Sequence, residues 1–105
     1  MKKNIRSLLA PALLLGCLHL SASADEALAR ARTCLACHQV DRKVVGPSFK
    51  AIGARYAGRK DMVEPLAKKI REGGGGVWGP VPMPANPRVS EADAKKLAVW
   101  ILEFK

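Results

Sequence analysis

Apolar residues recur at intervals of three and four along most of the chain, and no segment alternates clearly with period two. In MVEPLAKKIREG, Val63, Leu66, Ala67 and Ile70 share one helical face, and Gly73 supplies the stop. In SEADAKKLAVWILEFK, Ala94, Leu97, Ile101 and Phe104 form a second stripe, with Ala98 and Trp100 beside it. Ser90 stands where an N-cap belongs, and Asp93 three residues on approximates a capping box. FKAIGARYAG holds a shorter helix with Phe49, Ile52 and Tyr56 on one side. DEALARARTCLACH opens acidic and continues basic, the order that a helix dipole favours. Two stretches interrupt the helical pattern. QVDRKVVGPS is a loop punctuated by Gly46-Pro47. GGGGVWGPVPMPANPR, residues 73–88, has too much glycine and proline for a helix or a central strand. The pattern predicts an all-α fold of four helices joined by loops, without internal repeats.

The N-terminus reads differently. Lys2, Lys3 and Arg6 precede an apolar run over residues 8–20, and Ala22-Ser23-Ala24 closes it with small residues. The run is too short to span a membrane and contains Pro11. Residues 1–24 are therefore expected to be a removed signal peptide, leaving residues 25–105 as one exported domain, periplasmic in a bacterium. An alternative takes LLGC as a lipoprotein box anchored through Cys17. Leu15 fits that box poorly, and the later Ala-Ser-Ala fits cleavage well.

Charge narrows the partners. The chain carries 18 Lys and Arg against 9 Asp and Glu, a net +9, and losing Lys2, Lys3 and Arg6 leaves +6. A basic exported domain suits acidic partner surfaces. Nucleic acid is a weaker match, since aromatic residues for base stacking are few. A domain this small builds a marginal core and ordinarily needs a disulfide, a metal or a prosthetic group to complete it.

Beyond the leader the cysteines are Cys34 and Cys37, both in CLACH, directly before His38. Three chemistries use such a pair. Zinc requires about four ligands, and this region offers two thiols and one imidazole. A redox or structural disulfide is open to a CxxC pair, but no βαβ pattern surrounds it. Covalent haem attachment uses both thiols and the adjacent histidine, which ligates the iron. The third reading uses all three residues at their observed spacing, and export to an oxidising compartment agrees with it.

A haem held by His38 has a sixth coordination position. His19 leaves with the leader, so methionine is the next donor, and Met/His coordination is typical of electron-transfer haems. Met62 begins a helical pattern, where a packing role is ordinary. Met83 lies between Pro82 and Pro84, whose fixed dihedrals aim a thioether at small entropic cost. Met83 is the expected ligand.

CLACH near the mature start, then VGP, then VWGPVPMPAN, then a closing amphipathic helix, together resemble the class I c-type cytochromes, and within them the small bacterial monohaem group called cytochrome c-551. The resemblance spans essentially all of residues 25–105. It implies an all-α fold wrapped around one covalently attached haem c, and a function as a periplasmic single-electron carrier rather than an enzyme. It also implies site roles beyond the ligands. Pro47 would offer its carbonyl to the outer nitrogen of His38. Trp78 would donate its indole N–H to a haem propionate, and Lys69 stands where the family has an arginine facing that propionate. Asn86 would direct its amide at the Met83 sulfur. Pro87-Arg88 adds one residue after Asn86, and Ala29 stands where an aromatic is expected in the first helix. Partners implied are acidic-patched redox proteins, a cytochrome bc1-type donor and a nitrite reductase or terminal oxidase as acceptor, with no nucleic acid and no stable membrane insertion. The alternatives are a haem subunit of a larger redox complex, or a ligand-binding haem sensor with a displaceable Met83.

Overall fold

The computed structural model describes residues 24–105 together with Pro11, Ala12 and Gly16. The signal peptide expected over residues 1–24, with Cys17 inside it, otherwise lies outside the described residues. Four helices follow in chain order: α1, Ala24–Ala31; α2, Phe49–Arg55; α3, Val63–Glu72; and α4, Glu91–Leu102. Short 3-10 turns at Cys34–Ala36 and Lys60–Met62 complete the regular structure. Among the described residues there is no strand, only the isolated bridges of His38 with Lys43 and of Gly74 with Met83.

Each boundary has a local cause. Ser48 and Ser90 cap α2 and α4, their hydroxyls accepting from the backbone N–H of Ala51 at 3.0 Å and of Asp93 at 3.1 Å. Pro65 falls in the first turn of α3, where no helical partner for its missing N–H is lost. Gly73 ends α3 at φ 71°, with its N–H on the Lys69 carbonyl at 2.8 Å. The first boundary departs from the expected one. DEALARARTCLACH does not continue as one helix: Thr33 sits in the left-handed region at φ 61°, ψ 16°, and the chain restarts as the 3-10 turn that carries both cysteines. A left-handed residue terminates an α-helix, and for a β-branched side chain it is strained. Thr33→Gly is accordingly expected to raise unfolding stability by about 1 kcal/mol, measured by urea denaturation of the purified protein.

The core gathers on α4, which packs against α3, α2 and α1. Ala94 and Ala98 are wholly buried and let neighbouring backbones approach closely, while Phe49, Leu97 and Val89 fill the interior. Gly53 permits the tightest contact. A Cβ there would strike the Phe104 carbonyl oxygen and come within 2.9 Å of the Ile101 carbonyl oxygen. Phe49, Trp100 and Phe104 form an aromatic knot, with ring centroids 5.2 Å (Phe49–Trp100), 6.2 Å (Phe49–Phe104) and 5.1 Å (Trp100–Phe104) apart. Among the described residues eleven hydrophobic side chains are buried, and four of them are alanines. So thin a core leaves room for a large apolar group to finish it. No helix among the described residues is long and apolar enough to cross a membrane.

Candidate functional site

One face of the molecule opens as an apolar cleft between the CLACH turn and the loop of residues 73–88. Cys34, Cys37, His38 and Met83 all line it. Phe49 and Ile52 from α2, Leu66 and Ile70 from α3, and Leu97 and Ile101 from α4 form its apolar back. Each donor is held by its own local structure.

The two thiols come from the 3-10 turn. Cys37 and His38 both direct their N–H groups at the Cys34 carbonyl, at 3.2 Å and 2.9 Å, which turns the three side chains toward one region. No disulfide joins Cys34 and Cys37, so both sulfurs remain available in the cleft. Burial pushes the Cys34 thiol up from its ordinary value, a backbone hydrogen bond pulls against it, and the neighbouring Cys37 adds to the rise. Among the described residues no three His, Cys, Asp or Glu side chains are grouped to hold a metal ion, so the zinc reading lacks its ligand set.

His38 is fixed from three sides. Its Nδ1 lies 2.7 Å from the Pro47 carbonyl oxygen. A carbonyl only accepts, so Nδ1 carries the proton and Nε2 keeps a lone pair for a metal. The ring stacks on Phe49 at 5.5 Å between centroids, inclined by 20°. Gly46 presses on the imidazole, because a Cβ there would stand 2.5 Å from its Cε1 and 2.9 Å from Nδ1. The Gly46 and Val45 N–H groups both reach the Cys37 carbonyl, at 2.9 Å and 3.2 Å, closing the intervening loop onto the turn.

Met83 is positioned by the glycine run. Its N–H donates to the Gly74 carbonyl at 2.7 Å, and the Gly74 N–H returns to the Met83 carbonyl at 3.0 Å. Gly74 is thus one half of a two-bond clamp. Met62 closes the 3-10 turn ahead of α3 and does not line the cleft.

The other expected site residues fall into three situations. Lys69 lines the cleft, with its Nζ beside Gly74, where a Cβ would come within 2.7 Å. Trp78 lines it too but is 40 % exposed, and the Arg55 guanidinium covers its ring at 5.0 Å. Asn86 is tied to the end of α3. Its Nδ2 donates to the carbonyls of Ile70 at 3.0 Å and Pro84 at 3.5 Å, and no described hydrogen bond joins it to the Met83 sulfur. The end of α3 leaves carbonyls unpaired, and the amide satisfies one of them. The Asn86 N–H satisfies the next, on Arg71, at 3.0 Å. Asn86 also opens the following turn, its carbonyl accepting from Val89 at 3.1 Å. Sequence reasoning missed Phe49 beneath the imidazole and Arg55 over Trp78. Gly46 was visible as part of VGP, but its contact with His38 had no signal in spacing.

The cleft can hold a haem. Two thiols, one imidazole with its outer nitrogen fixed, and one thioether share an apolar hollow, the donor set that a covalently attached haem uses. No Asp or Glu lines it, whereas Lys43 and Lys69 do, so a ligand bearing carboxylates meets only cations.

The chain is similar to known proteins over most of its length. The sequence profile described as "Cytochrome c" matches residues 25–105. The chain is 56 % identical over 84 residues to cytochrome c-552 of Nitrosomonas europaea, covering 80 % of this chain and 82 % of that protein. It is 52 % identical over 80 residues to cytochrome c-551 of Azotobacter vinelandii, covering 76 % of this chain and 96 % of the relative. The crystal structure of the wild-type Nitrosomonas europaea cytochrome superimposes with a TM-score of 0.74 at 55 % identity, over 76 % of this chain and 99 % of the other.

Proposed function

The chain belongs to the cytochrome c family, with one covalently attached haem, and from that premise we propose that it is a periplasmic single-electron carrier whose haem iron is ligated by His38 and Met83. The observation that carries this reading is the shared cleft: Met83 and His38 line one apolar hollow with both thiols, and Met62 does not. When bound, the haem supplies a one-electron iron couple. Everything else is the work of this chain. Cys34 and Cys37 form the two thioethers. Pro47 holds the Nδ1 proton of His38, keeping Nε2 directed at the metal and raising its basicity. The Gly74 clamp and the Asn86 bonds to α3 hold the Met83 loop in place from behind. Trp78 and Lys69, which line the cleft, would face a propionate. With His38 and Met83 both holding the iron, the group would have no position left for a substrate, which suits a carrier rather than an enzyme.

Electron exchange then occurs at the open edge of the cleft, where Val45 and Val81 stand 50 % and 61 % exposed and Lys43 supplies positive charge. A net charge of this sign steers the protein to acidic docking patches on a bc1-type donor and on a nitrite reductase or terminal oxidase. Two measurements test the proposal. Potentiometric titration of the holoprotein is expected to fit a single one-electron step. Stopped-flow reduction by an acidic redox partner is expected to slow about tenfold from low to high ionic strength. Multiple steps overturn the single-haem carrier, and a salt-independent rate overturns acidic docking.

A further inference from the structure

Lys69 was the residue expected to face a haem propionate, yet another cation is better prepared for the task. Arg55 ends α2 with its guanidinium 5.0 Å from the centre of the Trp78 ring and 5.8 Å from that of Tyr56. Both rings line the cleft. Cation–π contact on two neighbouring rings restrains a long side chain that would otherwise sample many rotamers at the surface. The described ion pairs leave the guanidinium uncompensated: Asp61 is with Arg59, Glu64 and Glu91 with Lys95, Glu72 with Lys68, and Glu26 with Arg30. No described hydrogen bond uses its N–H donors either. A c-type haem brings two propionate carboxylates, and the cleft lining holds no acidic side chain to compete with them.

We propose that Arg55 is the residue that pairs with a haem propionate at the Trp78 edge of the cleft, in the role expected of Lys69. The guanidinium presents a planar fork that matches a carboxylate, whereas the Lys69 ammonium is a point charge on a flexible stem. Trp78 has a double function in this arrangement: its face orients Arg55 while its N–H remains available to the same carboxylate. The pairing rests on the haem reading but not on Met83 as ligand.

The test uses holoprotein whose haem propionates carry 13C-labelled carboxyl groups, studied in the reduced state by NMR, with Arg55→Lys, Arg55→Ala and Lys69→Ala beside the wild type. One of the two carboxyl resonances is expected to move in the Arg55 variants, by more than in Lys69→Ala. The equilibrium constant for reduction is expected to fall about threefold in Arg55→Ala, as a cation leaves a partly exposed pair. Arg55→Lys keeps the charge and guards against a folding defect in the alanine variant. Carboxyl resonances that stay fixed in both Arg55 variants overturn the proposal, as does a larger shift in Lys69→Ala. Failure of the wild type to carry haem absorbance at all marks a failure of the haem reading instead.

Discussion

Met83→Ala is expected to abolish the weak red absorption band of Met–iron coordination in the oxidised protein and to let carbon monoxide bind the reduced protein readily. The midpoint potential should fall as well, because a thioether ligand favours the reduced iron. Met62→Ala is the control. Met62 lies outside the cleft, in the turn before α3, so its loss should leave the spectrum and the potential unchanged. The contrast separates a ligand from a packing methionine with one spectrophotometer. An unchanged Met83→Ala spectrum would end the His/Met assignment, and with it the reason for regarding the iron as closed to substrates.

Gly73→Ala should produce the second large effect, through the backbone rather than the donor atom. Gly73 has φ 71°, and a Cβ there would run into the Met83 carbonyl oxygen while standing 2.8 Å from both the Ala85 nitrogen and the Pro84 carbonyl carbon. These are main-chain atoms and cannot swing aside. Relief requires the loop to move away from α3, which breaks the Gly74–Met83 bridge. Gly58 supplies the comparison, with nearly the same φ of 74° and nothing within 4 Å of its absent Cβ. Gly58→Ala should lower unfolding stability by about 1–2 kcal/mol, the cost of a left-handed L-residue alone. Gly73→Ala should cost about 3–5 kcal/mol, because the steric displacement adds to it. Urea denaturation followed by haem absorbance measures both, and the Met–iron band should weaken only in Gly73→Ala. Equal losses in the two variants would mean that the loop yields freely and that the clamp does not hold Met83.

The different fates of the expectations have physical causes. The helices α2, α3 and α4 were legible because each carries a period-3.6 apolar stripe, and α3 and α4 add a local stop or start signal, Gly73 and Ser90, whose effect does not depend on distant contacts. CLACH was legible because its chemistry requires neighbours in sequence. The break at Thr33 was not, since threonine signals no left-handed turn, and only the need to aim Cys34 and Cys37 into the cleft accounts for it. The glycine run was readable as a break in the helical pattern but not as the partner of Met83, because that pairing is fixed by where α3 ends and where the loop returns. Asn86 has a contact that resemblance did not supply. The family's contact with the methionine sulfur could be carried over in sequence, but the unpaired Ile70 carbonyl that takes its amide here is visible only in three dimensions. Arg55 and Trp78 are far apart in the chain, and no local pattern links a helix-ending arginine to a loop tryptophan.

The aromatic knot behind the imidazole has a consequence for timing. CLACH is made early, yet the wall that supports His38 is among the last parts of the chain to emerge. Phe49 stacks on the imidazole and is itself braced by Trp100 and Phe104, and α4 also closes over α1. A chain made N-terminus first presents both thiols on an open segment well before α4 arrives to build the back of the cleft. The order of assembly is therefore written into chain position: the sulfurs stay accessible until the C-terminal helix closes the wall behind the imidazole.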